Sequence, residues 1–384
     1  MLKFAGAAVM ILLVLGGSNF YLAQRISRCV RFLLPKAPFW IFPGSFGGMT
    51  LVMILSFFRS TLPIAPQIRT LLGVITAYWM GIFLYLLLFF LLADLVLLAG
   101  QLTKRIPVSA KQKAQFLAGA TALVLALCTA LYGFYHATQL KTVRYDLSLP
   151  NAALGQEMTI VMISDLHLGA IQSENRLADI IDEINGLEPD LVCIAGDFFD
   201  SDYQAIRDPD AAASTLQQLR GTYGVYVSLG NHDAGATFGQ MQAFLDLCGI
   251  RTLADEAVCI DDRLVLVGRL DPSPIGGYNG KTRQPLSQLL TGLHEDLPVV
   301  VMDHNPANAD TYTSDVDLVL SGHTHKGQIF PGSLLTNYLF PVDYGWYQKD
   351  SGSPHVIVSS GVGTWGMPMR VGTDCEIVCI RLHP

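Results

Sequence analysis

Five short polar stretches hold the side chains best suited to chemistry: Ser164-Asp165-Leu166-His167, Gly196-Asp197-Phe198-Phe199-Asp200, Gly230-Asn231-His232-Asp233, Asp303-His304-Asn305 and Gly322-His323-Thr324-His325. Together they contain five of the nine histidines. An isolated Asp or Asn after a strand is usually a turn former. Here five successive turns each begin where an apolar run stops, and each offers a carboxylate, an amide or an imidazole. The set mixes nitrogen and oxygen donors and contains no thiolate. That composition suits Mn, Fe or Zn in a dinuclear centre, whereas Ca takes oxygen ligands alone and structural Zn often uses Cys.

The elements that must position these turns are short. Apolar runs at 159–163, 191–195, 225–229, 264–268, 299–302 and 318–320 read as buried strands, and amphipathic patterns at 174–185, 211–219 and 238–247 read as helices. Such alternation predicts an α/β domain over residues 157–384, preceded by a linker at 141–156. The polar turns follow the strands, so the chemistry gathers at the C-terminal strand ends, where open α/β sheets form ligand crevices.

In order, the turns read Asp-x-His, Gly-Asp-x-x-Asp, Gly-Asn-His-Asp, a later His and Gly-His-x-His. This pattern resembles the calcineurin-like metallophosphoesterase superfamily over about residues 157–382. The longer strings Ser-Asp-Leu-His-Leu-Gly and Gly-His-Thr-His-x-Gly-Gln-Ile are similar to its bacterial membrane-associated branch, which includes multi-span members. The resemblance implies a helix-sheet-sheet-helix sandwich. By matching motif it implies that Asp165, His167 and His325 bind one metal, that Asn231, His304 and His323 bind the other, and that Asp197 bridges them. His232 would act as general acid or charge stabiliser at the leaving oxygen, oriented by Asp200. Asp233 has either a supporting or a plain turn role. Lys326 and Arg370 are candidate substrate-phosphate contacts, with a solvated surface role as the alternative. Two divalent ions about 3.5 to 4 Å apart can polarise a phosphoryl oxygen and activate water, so no Ser or Cys nucleophile is needed.

The rest of the chain bounds the setting. The net charge of -7 over 384 residues conceals an asymmetry: residues 1–140 hold eleven Lys and Arg against one acid, and 141–384 hold fourteen against thirty-one acids. An acidic catalytic half argues against nucleic acid as partner. Seven irregularly spaced cysteines do not form a disulfide framework. Cys375 and Cys379, placed on one strand, would lie about 13 Å apart, too far to bridge.

Four apolar stretches, at about 4–24, 38–58, 70–99 and 114–136, predict an α-helical transmembrane region of about four spans within residues 1–140. The first reads as a retained helix rather than a cleaved signal. The third can bend near Gly81, and Asp94, near its end, reads as interfacial. Arg25, Arg28, Arg31, Lys36, Lys104, Arg105, Lys111 and Lys113 fall in loops on one side, against Lys3, Arg59, Arg69, Lys141 and Arg144 on the other. The positive-inside rule then predicts a multi-pass cell-membrane protein with an extracytoplasmic catalytic domain. Aromatics at 335–347 and Trp365 suit an apolar groove or membrane interface, or a core cluster beneath a loop. These features point to a phosphodiester or pyrophosphate in a lipid-linked substrate. The resembling branch suggests a UDP-2,3-diacylglucosamine-type precursor, a cytoplasmic-face intermediate at odds with the orientation read from charge. The alternatives are a phosphomonoesterase acting on phosphoprotein or nucleotide, and a non-catalytic membrane sensor of metal or ligand.

Overall fold

The computed structural model describes residues 2–58, 62–149, 154–171, 174–293 and 296–384, without the side chains of residues 2–12, 66, 174 and 175. Arg59, one of the charges used for orientation, and positions 150–153 of the expected linker lie outside the described residues. The chain forms two compact units, Met1–Tyr132 and Gly133–Pro384.

The first unit is helical: α1 (Leu2–Leu33), α2 (Ile41–Phe57), α3 (Pro66–Leu102) and most of α4 (Lys111–His136). Among the described residues, two stretches are long and apolar enough to cross a membrane, Gln67–Leu102 and Val108–His136. Of the expected four spans, those at 70–99 and 114–136 thus have candidates among the described residues. The 17 residues of α2 rise only about 26 Å at 1.5 Å per residue, short of a hydrocarbon core of roughly 30 Å. The expected first span, about 4–24, falls in part on residues 2–12, whose side chains lie outside the described residues; its described part is apolar apart from Ser18, Asn19 and Gln24. α3 runs continuously through Gly81. Asp94 on α3 is held within the unit, accepting a hydrogen bond from the Tyr21 hydroxyl at 2.6 Å and pairing with Arg25 Nη2 at 2.6 Å.

The second unit has two six-stranded sheets. The first comprises β1 (Leu140–Ser148), β2 (Met158–Ile163), β3 (Leu191–Ala195), β4 (Val225–Ser228), β5 (Arg251–Leu253) and β12 (Cys375–His383), in the order β1-β12-β2-β3-β4-β5. The second comprises β6 (Glu256–Ile260), β7 (Leu264–Gly268), β8 (Val299–Met302), β9 (Leu318–Ser321), β10 (Gly345–Tyr347) and β11 (His355–Val358), in the order β10-β11-β9-β8-β7-β6. β2 to β5 are mutually parallel, as are β7, β8, β9 and β11. Much of the segment expected as a linker is in fact a strand: β1 pairs in parallel with β12 along its whole length, Leu140 opposite Cys375 through Ser148 opposite His383.

Side-chain alternation decides which face of each strand goes where. On β2, Met158, Ile160 and Met162 pack inward against Leu264, Leu266, Met302 and Leu320 of the other sheet. Val161 and Ile163 point the opposite way, onto α5 (Glu174–Gly186), α6 (Pro209–Leu216) and α7 (Phe238–Leu247) through Ile181, Leu216, Met241 and Phe244. The outer face of the second sheet buries Val265, Val301 and Val319 with Ala309 and with Leu286 and Leu289 of α8 (Leu286–Leu289). Period-two burial on both sheets thus makes a layered core. Its consequence for function is geometric: the parallel strands of both sheets deliver their C-terminal ends to one site. α9 (Gly332–Leu339) follows the turn after β9.

Leu266 is fully buried between the sheets. We expect Leu266→Ala to lower the unfolding free energy by about 2–5 kcal/mol in a urea titration of the C-terminal unit's transition; a loss well under about 1 kcal/mol would contradict a tightly packed inter-sheet core.

Candidate metal centre

Three strands of the first sheet supply half of the site. β2 ends at Ile163 and leads to Asp165 and His167, β3 ends at Ala195 and leads to Asp197, and β4 leads to Asn231 and His232. The second sheet supplies the other half, His304 after β8 and His323 and His325 after β9. Five of these residues have left-handed backbone conformations: Asp165 (φ 54°), His167 (49°), Asp197 (50°), His323 (70°) and His325 (49°). Each costs about 1 kcal/mol or more for a residue with a Cβ, and such outliers persist where the surroundings over-determine them. Two glycines make room for this crowding. A Cβ on Gly230 would strike the backbone and carboxylate of Asp197, and one on Gly322 would strike Ser164 and the Asp165 carboxylate.

The donor atoms fall into two groups. Asp165, His167 and His325 present ligand atoms within 4.8 Å of one another, as do Asp197, His304 and His323. In the first group His167 Nε2 lies 3.1 Å from His325 Nε2, which is 3.3 Å from Asp165 Oδ1. In the second, His323 Nδ1 is 2.9 Å from Asn231 Oδ1. Asp197 Oδ2 stands between the groups, 3.0 Å from His304 Nε2 and 3.8 Å from His167 Nε2.

The electrostatics agree with a site built for cations. Burial lowers His167 to about 3 and His323 to about 4. Burial, aided by the charge of Arg370, also holds His325 well below the ordinary imidazole range. These rings stay neutral near pH 7 and keep a lone pair for a metal. Burial raises Asp165 to about 6. Burial also opposes ionisation of Asp197, but the neighbouring His304 outweighs it and keeps that carboxylate ionised.

The decisive fit is at His304. Its Nδ1 is 2.8 Å from the Ala195 carbonyl, while its fully buried Nε2 has no hydrogen-bond partner and faces Asp197. A ring tethered through one nitrogen to a backbone carbonyl, with the other nitrogen aimed at a carboxylate, is how metal-ligating histidines are commonly oriented. The residues present therefore fit two divalent ions, with Asp197 shared between them.

Other candidates have distinct placements. His232 is half-buried at the edge of the site, its N–H donating to Asp197 Oδ1 at 2.8 Å and its ring 5.1 Å from that of His167. His167, Asp200 and His232 also offer atoms within 4.8 Å of one another. Ser201 meets the His232 ring, its Oγ 2.5 Å from Nδ1. Sequence reasoning missed Ser201; its position directly after Asp200, in the same turn, was the available signal. Asp233 is fully buried and accepts from the N–H groups of Phe199 and Gly230 at 2.8 and 2.9 Å. It locks the two turns together.

Of the two candidate substrate contacts, Arg370 requires correction. The half-buried Lys326 places its ammonium 3.7 Å from the centroid of the Tyr344 ring, a cation–π arrangement. Arg370 is fully buried and donates to the carbonyls of His325 at 3.0 Å and Gly363 at 2.6 Å, with Nη2 3.3 Å from His325 Nδ1. A guanidinium with no exposed surface cannot meet an incoming phosphate. It supports the turn that carries His325.

Comparison with known proteins agrees with this geometry. Residues 158–327 match the family model described as calcineurin-like phosphoesterase. An uncharacterized metallophosphoesterase of Bacillus subtilis is 30% identical over 58% of this chain and 78% of its own length. This chain belongs to the metallophosphoesterase family. It is also 31% identical to an uncharacterized metallophosphoesterase of Helicobacter pylori, over 60% of this chain and 61% of the relative. A Danio rerio protein named as a transmembrane protein with metallophosphoesterase domain is 31% identical over 68% of this chain and 62% of its own length. The chain thus spans about six-tenths of the length of these two relatives.

Replacing Arg370 tests its supporting role. Arg370→Met should destabilise the C-terminal unit by about 3–5 kcal/mol in chemical denaturation, because it strands buried carbonyls. A fully stable variant with only a raised KM would instead restore a substrate-binding role.

Proposed function

We propose that this metallophosphoesterase hydrolyses a phosphodiester or pyrophosphate bond in a membrane-associated, lipid-linked substrate, using two divalent ions with Mn the foremost candidate and Fe or Zn the others. The observation that carries the hydrolytic reading is the Asp197 carboxylate, placed between two groups of imidazoles and carboxylate with His232 at their edge. When bound, the ions supply Lewis acidity that draws charge from the phosphoryl oxygens and makes water a stronger acid. The chain's own contribution is to orient and to move a proton. Ser201, with Asp200 close by, orients His232 toward the scissile phosphate, where its imidazole donates to the departing oxygen. The Asn231 amide holds His323 in register.

The lipid-linked part of the reading is supported by apolar surface near the catalytic histidine. Trp365 is half-exposed with its ring 6.0 Å from that of His232. On α9, which begins six residues after Lys326, Leu334, Leu335, Tyr338 and Leu339 all face solvent, Tyr338 at 85%. Exposed apolar residues gathered on one short helix mark a contact surface rather than chance. Two helices suited to a bilayer lie in the same chain, which favours a membrane substrate and a multi-pass placement in the cell membrane. A UDP-2,3-diacylglucosamine-type precursor has the required pyrophosphate and acyl chains. The extracytoplasmic side read from charge rests on all four expected spans, whereas that particular precursor demands the cytoplasmic face.

The test of catalysis is turnover of an aryl phosphodiester with added Mn. Native protein should turn over and lose activity on chelation, with Asp197→Ala and His232→Ala each lowering kcat by about 10²-fold or more. No native turnover would leave the sensor reading, and turnover of a monoester alone the phosphomonoesterase reading. The lipid assignment has its own check. Leu335→Ser with Tyr338→Ser should depress hydrolysis of a vesicle-borne lipid pyrophosphate several-fold while sparing the soluble aryl ester; equal effects on both substrates would sink it.

A further inference from the structure

The helical unit contains a basic cavity with no part in the chemistry above. It is about 430 Å³ in volume, and its walls include Arg25, Arg28 and Arg31 of α1 with Gln112 and Gln115 of α4. Spacing of three residues on a helix turns successive side chains by about 60°, so the three arginines share one flank of α1. Arg25 is buried at 6% exposure. Its Nη2 is committed to Asp94 Oδ1, but its buried Nε has no hydrogen-bond partner. Asp94, in turn, is the only acid among residues 1–132. Among the described residues neither Arg28 nor Arg31 forms an ion pair.

The charge balance at the cavity is therefore three guanidiniums against one carboxylate that is already engaged. A buried donor left unmatched costs about 1–3 kcal/mol, more when it is charged, and the exposed guanidiniums beside Arg25 add like charge. Guanidinium forks and glutamine amides are donors matched to the oxygens of a phosphate. Along the same wall Phe32 and Phe116 stack at 4.4 Å between ring centroids, giving the cavity an apolar side. Basic pockets between membrane helices characteristically take phosphate headgroups.

The structure assigns this cavity as a binding site for a phosphate anion, carried by a phospholipid headgroup or free in solution. Arg25 forms its floor, Arg28 and Arg31 its rim, and the two glutamines complete the donor set. The site is separate from the metal centre in chain position and in donor chemistry. It stands whether or not the substrate of the metal centre is lipid-linked.

The test uses the full chain in phosphatidylcholine nanodiscs, with phosphatidylglycerol doped into the lipid in one arm and inorganic phosphate added in the other. Native mass spectrometry of retained lipid and the thermal midpoint are the readouts. Arg28→Gln with Arg31→Gln is the chosen variant, because both side chains are exposed and Arg25→Gln would also strip Asp94 of its partner. Native protein is expected to bind phosphatidylglycerol, and the double variant to bind it about tenfold more weakly, with an unchanged midpoint in phosphatidylcholine alone. Binding of phosphatidylglycerol without inorganic phosphate assigns the source as a lipid headgroup. A response to inorganic phosphate that the double variant loses assigns free anion. Lys104→Gln with Arg105→Gln, basic residues away from the cavity, should bind as native does. The assignment is overturned if native protein binds neither probe, if the double variant binds like native, or if the Lys104 and Arg105 variant loses as much.

Discussion

The structure of the catalytic unit turns on one buried carboxylate. Asp197 is almost fully enclosed at the end of β3, and removing a carboxylate charge from water costs several kcal/mol unless close partners replace the solvent. Those partners come from different parts of the chain. His304 arrives from the second sheet and the His232 N–H from the turn after β4. The two sheets must therefore close on each other before the charge at Asp197 is matched. The inter-sheet core of Met162, Leu266, Met302 and Leu320 is what brings them together. Hydrophobic burial supplies the driving force and Asp197 sets the register.

The same constraint explains where the backbone is strained. Strands that end at one crevice leave little room for their turns, so Asp165, His167, Asp197, His323 and His325 take left-handed conformations that folding elsewhere would avoid. The surroundings hold them there by specific means. Asp233 ties the turn of Phe199 to that of Gly230, and Asp165 accepts from the His323 N–H across the sheet boundary at 3.0 Å. Arg370 clamps the turn of His325 from below. Removal of charge from solvent, backbone strain and tight glycine packing converge on the same few ångströms, which is the pattern of a preorganised site.

The helical unit follows a different logic. Its residues are overwhelmingly apolar, yet its one acid is paired inside the unit with Arg25 and Tyr21. Arg28 and Arg31 of α1 gather at a cavity where, among the described residues, no anion of the protein's own meets them. In an apolar unit, where polar groups are costly to leave unmatched, this imbalance is a binding property.

The sequence alone determined the chemistry of the catalytic unit. Apolar runs of four to six residues interrupted by Asp, Asn and His are a local signal, and 191–195, 264–268 and 299–302 are the observed β3, β7 and β8. The candidate donors were legible for the same reason: each sits in the turn that follows its strand. The tertiary structure decided what depends on long-range partners. β1 read as a linker because its residues are half-exposed and gain strand character only by pairing with β12, far away in the chain. Arg370 read as a surface contact because nothing local reveals that it is enclosed beneath His325. Ser201 could be placed on His232 only once two turns were brought together. Residue types specify which atoms can bind or donate, whereas burial and non-local contact decide which of them face the same point in space.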